Sequence, residues 1–551
     1  MNRQAIAKKT TLGALLAMAM LPAHAAPWVT EGGGEATVMG YVSQGMGYGL
    51  RDHYDSQPGV NSLITTILLE GAYKPNDDLK FYGSLMATGD WIYSVRDNSN
   101  GWNSRRFDRS QQFLQADDKY WQILREAHVT WTGKSGMLRL GKQVVKWGEM
   151  DGQQIIDTIN PVDQRRGFAD VEFETSVIPT WLIRGEYYPE NKPSWLQDLG
   201  IEYVLNPNID FIPSQAGELG NDRGGIWAPN VPGFGWKQIT FCPPGPPMPG
   251  PPCMPGVYVP GEAPLPPFMT GPVVQSRLGS PALNSIVKPN GWSGMEHALR
   301  IKANVGETLA TLNYFYGREK QAVQRDVPGS TPLLEPASDG TLIEHHFNEG
   351  YYARKQFVGF TMTRDITPLK LSALGGVSPI VRIESLYSFD STFSVGRMTN
   401  GPNAAPVFTY DKMNTWNTGI GIDWSVKIPF LNSRSSFRVS PQFFMNRLIG
   451  HPSDAIVVLA PGNIGLERNN YSTSLLISTS YFHDKLSPMV FWLHDVNNQA
   501  NFYRAQLTYT QSANLSFAVG GMFFDGKERG KSFQVFDNKD QLFAKITYKF
   551  D

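Results

Sequence analysis

Between Thr415 and Lys427 the chain alternates almost without a lapse. Trp416, Thr418, Ile420, Ile422, Trp424 and Val426 fall on one side; Asn417, Gly419, Gly421, Asp423, Ser425 and Lys427 fall on the other. A repeat of two with one apolar face marks a β-strand. Leu299, Ile301 and Ala303 oppose Arg300, Lys302 and Asn304 in the same way, and Leu515, Phe517, Val519 and Phe523 share a face. Such segments recur along the chain. The first are Ala36–Leu50, Ser62–Tyr73, Leu79–Tyr93, Trp121–Thr132, Met137–Lys146, Thr180–Tyr188 and Leu199–Leu205. Then come Glu296–Asn304, Thr308–Gly317, Tyr351–Asp365, Ile380–Phe389, Thr415–Lys427 and Ser436–Leu448. Tyr471–His483, Met489–Val496, Phe502–Thr510, Leu515–Phe524 and Gln541–Phe550 complete the series. The pattern predicts an all-β chain of about eighteen strands, in a range of about 16–18.

A soluble sandwich alternates too, because each of its sheets has a wet face. The connections separate the two cases. After even-numbered strands they are mostly short: Lys74–Asp78, Gly133–Gly136, Val305–Glu307 and Gln511–Asn514. After odd-numbered strands several are long: Ser94–Tyr120, Trp147–Pro179, Asn206–Met295, Arg318–Gly350, Asp390–Asn414 and Ile449–Asn470. Short turns at one end and long loops at the other predict a transmembrane antiparallel β-barrel, with short periplasmic turns, long extracellular loops and both chain ends on the periplasmic side. Closure removes the open edges that lipid does not tolerate, and this many strands enclose an aqueous lumen.

The two ends agree with export to an outer membrane of the Gram-negative type. Arg3, Lys8 and Lys9 precede an apolar core, Leu12–Leu21, and Ala23-His24-Ala25 offers small residues before a cleavage at Ala26. That core is shorter than the ~20 residues of a spanning helix. The expected layout is a signal peptide over residues 1–25, a periplasmic segment over 26–35 and the barrel over 36–551. The last strand alternates Leu542, Ala544, Ile546, Tyr548 and Phe550 with Phe543, Lys545, Thr547 and Lys549. An amphipathic strand closing on an aromatic is similar to the signal read by barrel-assembly machinery, although Asp551 follows Phe550 here.

Composition narrows the field further. The mean hydropathy of the 551 residues is −0.29, which suits strands that face lipid with every second residue. Trp and Tyr, at 14 and 22 residues, supply the interfacial girdles of a barrel. A net charge of −1 gives no basic field and no case for nucleic acid. The His residues are scattered, and adjacent His345 and His346 would point to opposite faces of a strand, so no metal site is expected. The acidic run from Asp151 to Glu174 lacks EF-hand spacing. His451-Pro452-Ser453 sits in an expected loop without a lipase partner. No C-x-x-C-H haem motif or phosphate-binding glycine loop is present. No cofactor and no enzymatic role are expected.

The polar faces supply the candidate pore lining: Arg125, Arg139, Lys142, Arg184, Arg300, Lys302, Arg382, Glu384, Arg438 and Arg504. Within residues 147–181, Glu149, Asp151, Asp157, Asp163, Arg165, Arg166, Asp170 and Glu172 accompany apolar anchors Ile155, Ile156, Ile159 and Phe168. Mixed charge with internal anchors predicts a loop folded into the lumen as a constriction. A second insertion, residues 208–292, centres on CPPGPPMPGPPCMPG, and proline excludes regular sheet there. In an exported chain its Cys242 and Cys253 are expected to pair, stapling an extracellular lobe.

The run from Leu138 to Pro189 contains LRLGKQVVKWGEMDG, DTINPVDQRR and IPTWLIRGEYYP. It resembles the signature of a large proteobacterial outer-membrane family catalogued only as a domain of unknown function. The matching elements are Gly141-Lys142-Gln143, Trp147-Gly148 and Asn160-Pro161. The resemblance covers about one tenth of the chain. It implies a barrel encoded beside RND-type exporters and lipoprotein-like periplasmic partners, and it implies no catalytic residue.

The expectation is an outer-membrane channel or conduit with a loop-constricted polar lumen, working with an RND-type exporter or periplasmic lipid carrier of lipid or hydrophobic compounds. Outer-membrane lipid surrounds it. The alternatives are a barrel-anchored structural or adhesive protein and an outer-membrane lipid-modifying enzyme.

Overall fold

The computed structural model describes residues 28–29, 33–50, 58–92, 123–163, 176–209, 211–214, 236–241, 258–260, 273–278, 283–330, 333–336, 342–345, 347–371, 375–397, 407–459, 465–527 and 531–550. The expected signal peptide, the expected pairing of Cys242 with Cys253, and Arg165, Arg166, Asp170 and Glu172 of the expected inward loop lie outside them.

Eighteen strands close into one antiparallel barrel. In chain order they are β1 (Glu35–Gly49), β2 (Ile64–Lys74), β3 (Leu79–Asp90), β4 (Leu124–Gly133), β5 (Gly136–Gln143), β6 (Thr180–Tyr187), β7 (Asp198–Asn206), β8 (Glu296–Val305) and β9 (Thr308–Arg318). They continue as β10 (Arg354–Asp365), β11 (Ile380–Arg397), β12 (Val407–Val426), β13 (Phe437–Ile449), β14 (Asn469–Ser478), β15 (Leu486–Asp495), β16 (Ala500–Thr510), β17 (Leu515–Gly526) and β18 (Gln541–Phe550). Each pairs with its sequence neighbour, including β7 with β8 across the proline-rich insertion. The ring shuts where Gly40 to Gly49 of β1 run against Phe550 to Gln541 of β18. Every segment expected from the alternation is one of these strands.

The two faces of the wall differ as the alternation dictates. Leu299, Ile301, Leu312, Phe360, Ile420 and Val519 are exposed on the outside. Tyr73, Phe81, Trp131 and Tyr187, also exposed, stand near the short-turn end. A closed ring with an outward aliphatic belt edged by aromatics is the form in which strands cross a bilayer. Among the described residues no helix is long and apolar enough to do so.

The structure corrects one expected loop. Asp390–Asn414 is not a long irregular connection: β11 runs for 18 residues and β12 for 20, so the hairpin projects past its neighbours. A bulge between Ser388 and Ser391, with Asp390 at φ 49°, interrupts the alternation, which hid the continuation in the sequence. A bulge bends and twists a strand without ending it. The projecting part pairs Ser394–Gly396 with the short strand Ile456–Val458 and buries Phe393, Val395, Met413, Leu448 and Val457 together. Beside it Phe347–Tyr351 pairs with Leu283–Val287 and with Val323–Asp326.

Candidate functional site

The inward face is identified by what fills it. Beyond β5 the chain does not return along the wall; residues 144–163 enter the barrel. Val145, Trp147, Met150, Ile155, Ile156 and Ile159 form one buried cluster with Leu182, Val204, Ala298, Phe315, Phe357, Leu386 and Phe444 of the wall. Two wall glycines make the slots. A Cβ at Gly359 would stand 3.3 Å from the Ile156 Cδ1, and one at Gly419 only 2.6 Å from the Ile155 Cδ1.

Polar contacts fix the register of this packing. The Glu384 carboxylate accepts the backbone N–H groups of Glu149 and, at 3.1 Å, of Met150. Gln442 accepts from the Gly152 N–H at 2.9 Å, and Gln153 donates to Ser472 at 3.0 Å. Thr363 donates to the Glu149 carboxylate at 2.6 Å. Asp151 lies 2.8 Å from Arg382 and 3.2 Å from Arg438, and both arginines also reach Asp423. The magnitudes rank these contacts. Each fully buried aliphatic or aromatic side chain contributes about 1.5–3 kcal/mol, whereas a half-exposed pair such as Arg438–Asp151 contributes about 0–1 kcal/mol. Burial holds the loop; the carboxylates choose where it sits.

The motif residues of the sequence are the device that turns the chain inward. Gly141 has φ +134°, and a Cβ there would lie 2.2 Å from the Ala127 carbonyl oxygen, so only glycine fits. Gln143 is fully buried and donates to the Leu182 carbonyl at 3.1 Å. Asn160 ties the loop base: its Oδ1 accepts from the Val145 N–H at 2.8 Å, and its Nδ2 is within 3.2 Å of the Gln143 and Ile178 carbonyls and the Thr180 hydroxyl. Asp157 accepts from the N–H groups of Trp147 and Gly148 at 2.5 and 2.8 Å. A Cβ on Gly148 would press on Asp157 at 2.9 Å and on Glu384 at 3.2 Å.

Of the expected pore-lining residues, Arg139, Arg184, Arg300, Lys302, Arg382, Glu384, Arg438 and Arg504 share the inward face. Arg184 pairs with Glu202 at 2.9 Å and with Glu186 at 2.6 Å. Arg139 donates to Thr130. Just beyond β6, the Tyr188 phenol is pushed up to about 12 by its hydrogen bond to Glu186 and by burial. Arg125 is the extra residue of a bulge in β4 and reaches the Val177 carbonyl at the loop base. Lys142 stands apart. It follows the irregular Gly141, is buried, and its ammonium lies 2.7 Å from the Leu124 carbonyl. Among the loop acids, Glu149, Asp151 and Asp157 contact the wall or the loop itself, and the Asp163 N–H bonds to Ser176 at the loop's return.

Between the loop base and β1–β4 a cavity of about 280 Å³ remains, lined by Tyr41, Glu70, Arg125, Glu126, Gln154 and Asp157. Sequence reasoning missed the Gly359 and Gly419 slots, Gln442 and Ser472. No motif marks them; only the inward phase of their strands could have nominated them. Among the described residues no group of His, Cys, Asp and Glu is placed to hold a metal.

Residues 7–195 match the model of a family described as a protein of unknown function, DUF1302. The match contains the whole run on which the sequence resemblance rested. No curated protein matches the chain. Among solved structures, Acinetobacter baumannii OccAB1 is similar at 8% identity and a TM-score of 0.42, over 94% of this chain and 96% of that one. Pseudomonas aeruginosa OccK5 (OpdH) gives 9% and 0.39 over 94% and 98%. Salmonella typhi OmpF, solved in complex with daunomycin, gives 11% and 0.35 over 95% and 99%. The barrel assignment rests on the strand pairing rather than on these likenesses.

Proposed function

We propose that the protein is an outer-membrane conduit whose polar lumen is narrowed by residues 144–163. The observation that carries this reading is the seating of that segment across the inward face of β6–β14, by apolar burial and by hydrogen bonds donated to Glu384, Gln442 and Ser472. Charged side chains on the inward wall supply selectivity at the narrowing. The reading contains no catalytic step. By the family resemblance, the conduit works with an inner-membrane RND exporter or a periplasmic lipid carrier, and site-specific photo-crosslinking from the periplasmic turns in cells tests that partnership.

The conduit itself is tested by single-channel current from the purified, refolded protein in planar bilayers. Discrete ion-selective steps are expected, and deleting Glu149–Glu172 is expected to enlarge them. Steps of unchanged size after the deletion would refute the narrowing; a silent bilayer with folded protein would refute the conduit.

A further inference from the structure

On the lipid-facing side of the wall, two cations meet at one place. β9 rises from the short periplasmic turn Val305–Glu307 and ends at the extracellular rim with Arg318, and β10 begins there with Arg354. The two arginines are paired directly across the strands. Their phase is outward, shared with Leu312 and Tyr316 on β9 and with Val358 and Phe360 on β10, all exposed on the membrane side. The Arg354 guanidinium lies 4.9 Å over the Tyr316 ring, and Trp292, 86% exposed, precedes Ser293 at the same rim. Trp and Tyr gather at the membrane–water interface, so this is the level at which lipid headgroups begin. Like charges directly opposite each other destabilise a strand pair, yet both guanidiniums turn to one backbone oxygen. Arg318 Nη2 donates to the Ser293 carbonyl at 2.9 Å and Arg354 Nη2 donates to it at 2.7 Å. Arg318 Nη1 donates to the Tyr352 carbonyl at 3.0 Å, while Arg318 Nε and Arg354 Nη1 meet no acceptor. The neighbouring acids are engaged elsewhere. Glu296 holds Lys320 at 2.6 Å and takes only the backbone N–H of Arg318, at 3.0 Å, and Glu319 holds Lys355 at 3.1 Å. Among the described residues no carboxylate bonds to either guanidinium.

We infer that Arg318 and Arg354 form a docking site for the phosphorylated headgroup of an outer-leaflet lipid, with Tyr316 and the exposed Trp292 beside it. The guanidinium fork matches the geometry of a phosphate and is weakly enough hydrated to work at an interface. Hydrogen bonds between two charged groups are the stronger kind, and a phosphate set against both arginines offsets the repulsion that the register imposes. Position decides the source of the anion. The pair opens on the outward wall above Leu312, Val358 and Phe360, where a headgroup lies over its own acyl chains. The site stands on the opposite face of the wall from the lumen, so it holds whether or not the barrel conducts.

The test measures lipid retained by the full refolded barrel in detergent, by native mass spectrometry, with lipid A as the probe: a diphosphorylated, acylated glucosamine disaccharide. Heat-modifiable gel mobility confirms the fold of each variant. The unaltered protein is expected to retain the lipid, and Arg318→Gln and Arg354→Gln are each expected to weaken binding about tenfold. Arg364→Gln should leave it unchanged, since Arg364 shares the outward phase of β10 but lies at its periplasmic end, opposite Thr308. Removing both phosphates from the lipid is expected to weaken its binding to the unaltered protein by a similar factor, a comparison that requires no variant to fold. Equal retention of the phosphorylated and dephosphorylated lipid, or equal binding by the unaltered protein and both arginine variants, would overturn the site. Inorganic phosphate at the concentration of the lipid is expected not to compete, and displacement by it would overturn the lipid as the source of the anion.

Discussion

The two sides of the lumen obey the same strand alternation and put it to opposite use. From β6 to β14 the inward positions hold Leu182, Phe315, Phe357, Leu386 and Phe444, interrupted by Gly359 and Gly419. That wall is a socket, greasy with notches, and the loop fills it. From β16 to β18 the inward positions hold Arg504, Gln506, Thr508, Lys545 and Thr547, and that wall lines a polar cavity. Alternation decides which residues face inward. What stands at those positions decides whether the face is filled by its own chain or left open as a polar cavity.

The contrast can be broken at graded cost. The largest effect is expected from Asn160→Ala, which leaves the Val145 N–H and the Gln143 and Ile178 carbonyls without their side-chain partner. At about 1–3 kcal/mol for a buried polar group left unsatisfied, the loop base should detach, read as protease cleavage within residues 144–163 of an otherwise intact barrel. Gly419→Leu fills the Ile155 slot, and overpacking of this kind costs about 1–3 kcal/mol. Larger current steps are its expected signature, and unchanged steps would mean that the socket does not hold the loop. Glu384→Gln keeps one acceptor oxygen and removes the charge, so faster hydrogen exchange at Glu149 and Met150 is expected, with a loss of about 1 kcal/mol. Asp151→Asn should be the mildest. Arg382 retains Asp423, and the expected change of about 0–1 kcal/mol should appear as a shift in ion selectivity, measured as reversal potential, rather than in loop protection.

Much of the barrel was legible because its period is carried by residues whose side chains have only two places to go. The alternation of Trp416 to Val426 marks β12 from the residues alone, and the short turn at Val305–Glu307 fixes the direction of its neighbours. The projecting hairpin was not legible: at Asp390 the bulge slips the phase, and a two-residue repeat read across a slip looks like a loop. In the site, the mixed charge and buried isoleucines of residues 147–159 announced an inward segment. Its hooks were harder. Gln442 and Ser472 are ordinary inward polar residues until the Gly152 N–H and the Gln153 side chain reach them. Lys545 and Lys549 shared the polar face of the last strand in the sequence, but the cavity in front of them depends on Gly45 and Ala518, which lie on other strands. Gly141 and Asn160 were visible as motif letters; their roles in turning and tying the chain come only from the geometry.

The seam between β1 and β18 carries a consequence for assembly. Gly40 meets Phe550 there, the first barrel strand against the last, so the ring stays open until the C-terminal strand has been delivered. Contacts between such remote parts of a chain form slowly, because loop-closure entropy opposes them. The inward loop belongs to the first third of the chain, while its Gln442 and Ser472 anchors belong to the last. The segment therefore reaches its full set of partners only once β13 and β14 are in place. A chain halted before β10–β13 are laid down would leave Trp147 and Ile156 without Phe357, Leu386 and Phe444, an apolar segment of the kind a chaperone covers.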